Sequence, residues 1–239
     1  TYLASGIAAS NELVDKYLKY NIYKGVSNNQ LVDPVTGRIN PNATQRKWND
    51  NWATDPFQIG LRQEYNVNIS GGSDKSSYYI SAGYLEDNGY IQGSGFQRFN
   101  SRVKVDQEVT KWFKAGANIA YTQTSQDAPS AGGTDYSNLI MFSQSIAPIY
   151  PIYLYDQTTG DAILDENGNK KYDFGDQNGR PYASKQNPLS YLGSDIYRYI
   201  ADNLSLRGYL EFSFLKDFKF TVNASYDVFN FSSTEFMSP

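Results

Sequence analysis

The chain has 239 residues, a formal net charge of -4, no cysteine and no histidine. That composition excludes disulfides, thiolate chemistry and His-based triads, removes the commonest zinc ligand and, with no basic run, leaves nucleic acid an unexpected partner. Mean hydropathy is -0.57 and no run of about eighteen apolar residues occurs, so no membrane helix is expected, although a polar average is compatible with a β-barrel.

Residues 1–60 lack strand periodicity. The opening stretch TYLASGIAASNELVDKYLKY has no basic region followed by an apolar one, so it reads as no signal peptide but as the start of a cytoplasmic chain or of a mature or internal piece. Asn11 to Tyr20 suits a short helix with Val14, Tyr17 and Leu18 on one face. Turn composition follows at Asp33-Pro34-Val35-Thr36-Gly37 and Asn40-Pro41-Asn42. Trp48 and Trp52 lie in the polar stretch KWNDNWATDPF. They suit either local packing of a folded loop or a sugar-stacking platform.

From Leu61 the pattern changes to period two, which alternates faces along a strand. Tyr65, Val67 and Ile69 share one face; after a turn at Gly71-Gly72-Ser73-Asp74-Lys75, so do Tyr78, Ile80, Ala82 and Tyr84. Phe99, Val103 and Val105 follow, then Phe113, Ala115, Ala117, Ile119 and Tyr121. Near the end, Leu204, Leu206, Leu210, Phe212 and Phe214 descend one strand. Phe218, Phe220, Val222, Ala224, Tyr226 and Val228 rise up the next, joined by Leu215-Lys216-Asp217. Each arm is about ten residues or more, longer than the five or six usual in a soluble sandwich. Short connections (GGSDKS, EVTK, LKD) alternate with long ones, as in outer-membrane barrels.

The long connection, residues 125–201, has features of its own. Tyr136 to Ile146 suits a short helix, ended by Pro148 and Pro151 ahead of an extended IYPIYLYD segment. Turn clusters around AIL predict a small hairpin. Asp165, Asn167, Asn169 and Asp173 resemble calcium-loop spacing, but Lys170 stands where the loop needs glycine and Asp176 where it needs glutamate, so neither metal nor cofactor is expected. No carboxylate pair or nucleophile is marked out for catalysis, and no enzyme is expected. The remaining ligand candidates are Tyr150, Tyr153 and Tyr155, alongside Trp48 and Trp52.

The run EYNVNISGGSDKSSYYISAGYLEDNGYIQGSGFQRFNSRVKVDQEVTKWFKAGANIAYT, followed by APIYPIYLYD, NPLSYL and LRGYLEFSFLKDFKFTVNASYD, resembles the barrel of SusC/RagA-type TonB-dependent transporters. The resemblance covers nearly the whole chain. It implies an all-β fold, an antiparallel transmembrane β-barrel segment of about six long strands from a barrel of about 22 closed around a plug. It further implies residence in the bacterial outer membrane, import of oligosaccharides or peptides, a SusD-like surface lipoprotein as partner, and energy from TonB through a plug and TonB box outside this stretch. On this reading 1–60 is an outer loop region, 61–124 holds four strands with short periplasmic turns, 125–201 is a long outer loop, 202–231 is a barrel hairpin, and 232–239 starts the next loop. The rival expectation is a secreted soluble β-sandwich that binds carbohydrate through its tyrosines.

Overall fold

The computed structural model describes residues 14–33, 35–129, 138–192 and 195–237. The chain divides into two compact units, one from Thr1–Gln58 with Gly132–Ser194 and one from Ile59–Ala131 with Asp195–Met237.

The second unit is one antiparallel sheet of six strands in sequence order, β1 to β6. They span Leu61–Ser73, Ser76–Asn88, Gly95–Thr110, Phe113–Asp127, Ile196–Phe214 and Phe218–Phe236. All six strands share this one sheet, so the second layer that a sandwich requires is missing from the described residues and the rival expectation is overturned. Alternating β-branched and aromatic residues favour the pleated conformation, and each hairpin pairs residues directly opposite one another. The pairs therefore line up in continuous rows across the sheet. One row reads Ile69, Ile80, Val103, Ile119, Leu206 and Tyr226.

At one end of the sheet the strands join by tight turns: Asp74-Lys75, Lys111-Trp112 after an irregularity between Glu108 and Thr110, and Leu215-Lys216-Asp217. Leu215 and Lys216 take φ of 51° and 65°, left-handed values that let three residues reverse the chain. Gly71 and Gly72, read from composition as part of a turn, lie inside β1. The reason is close approach: a Cβ on Gly71 would fall 2.5 Å from the Tyr78 hydroxyl, because that ring lies across the glycine. At the other end the connections are residues 89–94 and the long stretch from Ala128 to Asp195.

The first unit is mostly irregular chain with its own core. Of the helix expected over Asn11–Tyr20, residues 11–13 lie outside the described residues, and Val14–Leu18 form a single π-helical turn. The second expected helix is α1, Leu139–Ser145; its start is fixed by Asn138, whose side chain accepts from the backbone N–H groups of Ile140 and Met141. Residues 136 and 137 of that expectation are likewise outside the described residues. The expected hairpin is a small three-stranded arrangement: residues 152–155 pair with 162–163 on one side and 171–173 on the other, through bridges Tyr155↔Ala162 and Tyr153↔Tyr172.

Candidate functional site

The sheet has two chemically distinct faces. On one, aliphatic rows occupy the middle and stand exposed, among them Val67, Ile69, Ile80, Val103, Ile119, Leu210 and Val222. Aromatic rows bound them. Toward the long connections lie Tyr65, Tyr84 and Phe99, paired in register, with Tyr121 6.4 Å from Phe99 between ring centroids. Toward the tight turns lie Phe113, Phe212 and Phe220 in one row, with Phe214 against Phe218 and Trp112 stacked on Phe212. From Phe218 to Val228, at ~3.3 Å per residue, the strand runs about 33 Å. Tilted by the usual 35–45°, that is a band of about 25 Å, the thickness of the apolar belt of an outer-membrane barrel. The upper aromatic row itself turns polar at Gln123 and Asp202, and beyond it on this face lies the bidentate pair of Arg198 with Asp127 (2.6 and 3.1 Å).

The opposite face is wet and internally paired. Arg62 meets Asp87 and Glu64, Arg98 meets Glu64, Lys104 meets Asp106, Lys114 meets Glu108, and Lys219 meets Glu211, at 3.0 to 3.7 Å. Tyr209 on β5 donates its hydroxyl to Asp106 on β3 (3.0 Å), reaching across β4. It can do so because Gly116 lies beneath: a Cβ there would sit 2.2 Å from the Tyr209 ring.

The first unit is organised by the sequence Trp48-Asn49-Asp50-Asn51-Trp52. Both indole N–H groups donate to backbone carbonyls, Trp48 to Ile149 (3.2 Å) and Trp52 to Tyr150 (3.1 Å). Asp50 between them accepts from the N–H groups of Ile152 and Tyr153 and from the Tyr155 hydroxyl (2.7 Å). One short segment thus pins another about 100 residues away. Trp48 stacks on Tyr155, Trp52 meets Phe142, and Tyr20 sets its edge on Tyr150. Burial, then the Asp50 carboxylate, pushes the Tyr155 phenol up, so it stays neutral and donating.

Arg180 is the other organiser. It is 2% exposed and donates to the carbonyls of Tyr182, Phe174, Ala183 and Gln186, with its guanidinium 5.7 Å from the Phe142 ring centroid. Tyr20 donates to the buried Asp173 (2.9 Å), and Asn187 donates to the carbonyls of Ile152 and Asp173. Burial raises the Asp173 carboxyl above its ordinary value and pushes the Tyr20 phenol up as well. The Asp/Asn run therefore divides between uses: Asp165 accepts from the N–H groups of Asn167 and Asn169 in its own turn, while Asp173 turns to Tyr20.

These contacts correct the ligand candidates. Trp48, Trp52, Tyr150 and Tyr155 are buried, their rings taken up by one another and by Tyr20 and Phe142. They are core, not a platform. Tyr153 alone of the five remains half-buried, stacked on Tyr172 (5.4 Å) with the Lys170 ammonium 5.0 Å from its ring. The two rings line a shallow depression of about 760 Å³ with Asp165, Asn169, Lys170 and Gln177. Asp50, Tyr172, Arg180 and Asn187 were not marked by the sequence; only the placing of Asp50 midway between two tryptophans hinted at its role.

No protein-family model matches the chain. It is 30% identical over 161 residues to TonB-dependent receptor P3 of Formosa agariphila, covering 66% of this chain and 15% of that receptor. It is 33% identical over 57 residues to TonB-dependent receptor SusC of Bacteroides thetaiotaomicron, covering 24% of this chain and 6% of SusC. Among solved structures, the RagAB peptide transporter superposes with a TM-score of 0.59 over 78% of this chain and 20% of that one, at 17% identity. The RagAB peptide importer in its closed-closed state covers 98% of this chain at a TM-score of 0.57 and 17% identity.

The chain is a barrel segment of the SusC/RagA type of TonB-dependent receptor.

It spans about 15% of the length of the receptor P3 that it matches. For a SusC/RagA-type barrel in the bacterial outer membrane, the exposed aliphatic band is the lipid-facing surface, and the paired polar face is the one turned to the lumen. The relatives are named as receptors and transporters, not as enzymes.

Proposed function

We propose that this chain forms part of the wall and outer loops of a TonB-dependent importer of oligosaccharides that works with a SusD-like surface lipoprotein. The observation that carries the reading is the lipid-sized aliphatic band, bounded by aromatic rows, on one face of a six-stranded meander. Sheet edges at β1 and β6 are untenable in lipid, so further strands complete the barrel around a plug that TonB displaces. The connections 89–94 and 128–195, with residues 1–60, belong outside; the turns at Asp74-Lys75, Lys111-Trp112 and Leu215-Lys216-Asp217 belong at the periplasmic rim. Tyr153 and Tyr172 are the ligand contacts of the loop unit, offering an aromatic face beside amide, ammonium and carboxylate groups. A peptide cargo is the second reading, because the structures that superpose on the chain are named as a peptide transporter and importer.

The test is uptake by the full-length protein, produced in an outer membrane together with its lipoprotein. Labelled oligosaccharides and labelled peptides of equal size are offered with and without a functional TonB system. TonB-dependent entry of the sugars is the expected result. Entry of peptides alone transfers the assignment to the second reading, and entry independent of TonB contradicts both.

A further inference from the structure

The depression at Tyr153 and Tyr172 carries its charge against the trend of a chain whose net charge is -4. Its lining holds two ammonium groups, Lys170 and Lys171, and one carboxylate, Asp165. Both lysines are exposed, and among the described residues neither side chain makes an ion pair or a hydrogen bond. Asp165 is turned into its own loop, where it accepts from the N–H groups of Asn167 and Asn169 (2.9 and 2.8 Å). Lys171 lies within its field without pairing. Three further carboxylates stand close by, and each also accepts from backbone N–H groups: Asp50 from Ile152 and Tyr153, Asp55 from Asn51, and Asp176 from Gln177. Lys170 instead holds its ammonium 5.0 Å from the centroid of the Tyr153 ring.

We infer that this depression receives an acidic oligosaccharide, with Lys170 taking the carboxylate or sulfate ester of a sugar whose ring lies against the tyrosines. The inference rests on the oligosaccharide reading of the patch and narrows it. An acid group in direct contact with an ammonium makes a charge-assisted hydrogen bond, stronger than the bond a neutral hydroxyl would make there. Because the Tyr153 ring already positions the ammonium, binding forfeits less side-chain freedom than it would at a loose surface lysine. The phenol rings offer apolar faces to the C–H side of a sugar. The amides of Asn169 and Gln177 both donate and accept, which suits hydroxyl groups. An acidic peptide fits less well, because the small sheet has already used its backbone. Leu154 N–H donates to Lys171, Lys171 N–H to Ile163 and Ile163 N–H to Leu154, so these residues offer an extended peptide no free donors to pair with.

The test is calorimetric titration of the full-length protein in bilayer discs with two matched pairs of tetrasaccharides. One pair is tetragalacturonate and its neutral methyl ester; the other is a sulfated galactan tetrasaccharide and its unsulfated twin. At least one acid should bind about tenfold or more tighter than its neutral twin, the worth of one charge-assisted hydrogen bond, and the pair that shows the preference identifies the acid group. K170Q should remove most of that preference and K170R should keep it. K216Q, at the opposite end of the sheet, should leave it unchanged although it removes the same charge from the chain. In about 1 M sodium chloride, where charges are screened within about 3 Å, the preference should shrink. Equal binding of acid and neutral sugars, or a preference that K170Q and K216Q alter alike, overturns the inference. So does tetraglutamate displacing the acidic sugar at equal concentration. Y153A separates this inference from the reading beneath it. If Y153A weakens all four sugars while K170Q changes nothing, the patch is a ligand site and its acidic preference is refuted. If no sugar binds, the oligosaccharide reading fails and takes this inference with it.

Discussion

The two units use the same kinds of side chain in opposite ways. The loop unit buries its aromatics: Tyr20, Trp48, Trp52, Phe142, Tyr150 and Tyr155 form its interior, and their polar ends find backbone or carboxylate partners. The sheet exposes its own: Tyr65, Tyr84, Phe99, Phe214, Phe218, Phe220 and Tyr226 stand on a surface. Soluble proteins rarely leave a contiguous apolar surface of that extent uncovered. The lesson is that burial follows the solvent. In the loop unit water is outside, so apolar groups turn in; on one face of the sheet the solvent is hydrocarbon, so they turn out.

That contrast can be broken most severely in the loop core. Phe142 is fully buried against Trp52 and beneath the Arg180 guanidinium. Phe142→Ala should cost about 3–5 kcal/mol of local stability. Hydrogen exchange should then quicken at Ile146, Ile152 and Asp173 while the amides of β1 to β6 keep their protection. Equal loss in both units would show that they are one cooperative block.

The sheet side of the contrast is tested by charge. Leu206 stands in the row midway between the two aromatic borders, so Leu206→Arg should destabilise the barrel by about 2–4 kcal/mol. Ser205→Arg, next to it on the lumen face, should cost much less. Phe220→Arg should be milder than Leu206→Arg, since register puts Phe220 in the lower aromatic row, where cost falls to about 0–1 kcal/mol. The measurement is the urea midpoint of the folded, heat-modifiable band. Equal effects at all three positions contradict the facing.

Asp50→Ala removes the acceptor for two backbone N–H groups and the Tyr155 hydroxyl. Leaving such donors unmet costs about 1–3 kcal/mol. Exchange should speed at Ile152 and Tyr153 first, and a Tyr153–Tyr172 patch freed from its support should bind ligand more weakly. The smallest expected effect is in pH. The N–H groups of Thr159 and Thr158 hold the Asp156 carboxyl below its ordinary value. A depressed folded pKa means stability that is present above the ordinary aspartate range, about 3.9, and lost as pH falls through the folded value. Exchange at Thr158 and Thr159 should therefore quicken in acid, and Asp156→Asn, which keeps the acceptor oxygen but does not titrate, should abolish that dependence.

Much of the sheet was legible because its rule is local. Period two over Leu204–Phe214 and Phe218–Val228 needs only neighbours in sequence. Where the rule inverts, legibility ended. β5 begins at Ile196, not near residue 202, and β6 continues to Phe236. From the aromatic border upward Asp202 and Arg198 take the outer face, while Phe229 and Phe231 fall on the other. Backbone pairing continues there, but hydrophobicity no longer reports it. The loop unit was barely legible, because its determinants are distant pairs. Nothing near Trp48 announces that its indole will donate to Ile149, nor near Arg180 that four carbonyls will surround it. A tryptophan in a polar stretch reads equally as a platform or as a core, and only the fold decides.

The central claim is that the even-numbered residues from Leu204 to Phe214 in β5 and from Phe218 to Val228 in β6 meet lipid and the odd-numbered ones between them meet the lumen. This stretch contains no cysteine, so single cysteines introduced from Leu204 to Phe212 in the full-length protein can carry spin labels in turn. In bilayers, accessibility to dissolved oxygen and to a polar nickel reagent should alternate with a period of two, oxygen highest at Leu204, Leu206, Leu210 and Phe212 and nickel highest at Ser205, Arg207, Tyr209 and Glu211. Alternation in the opposite phase, or none, would contradict the account.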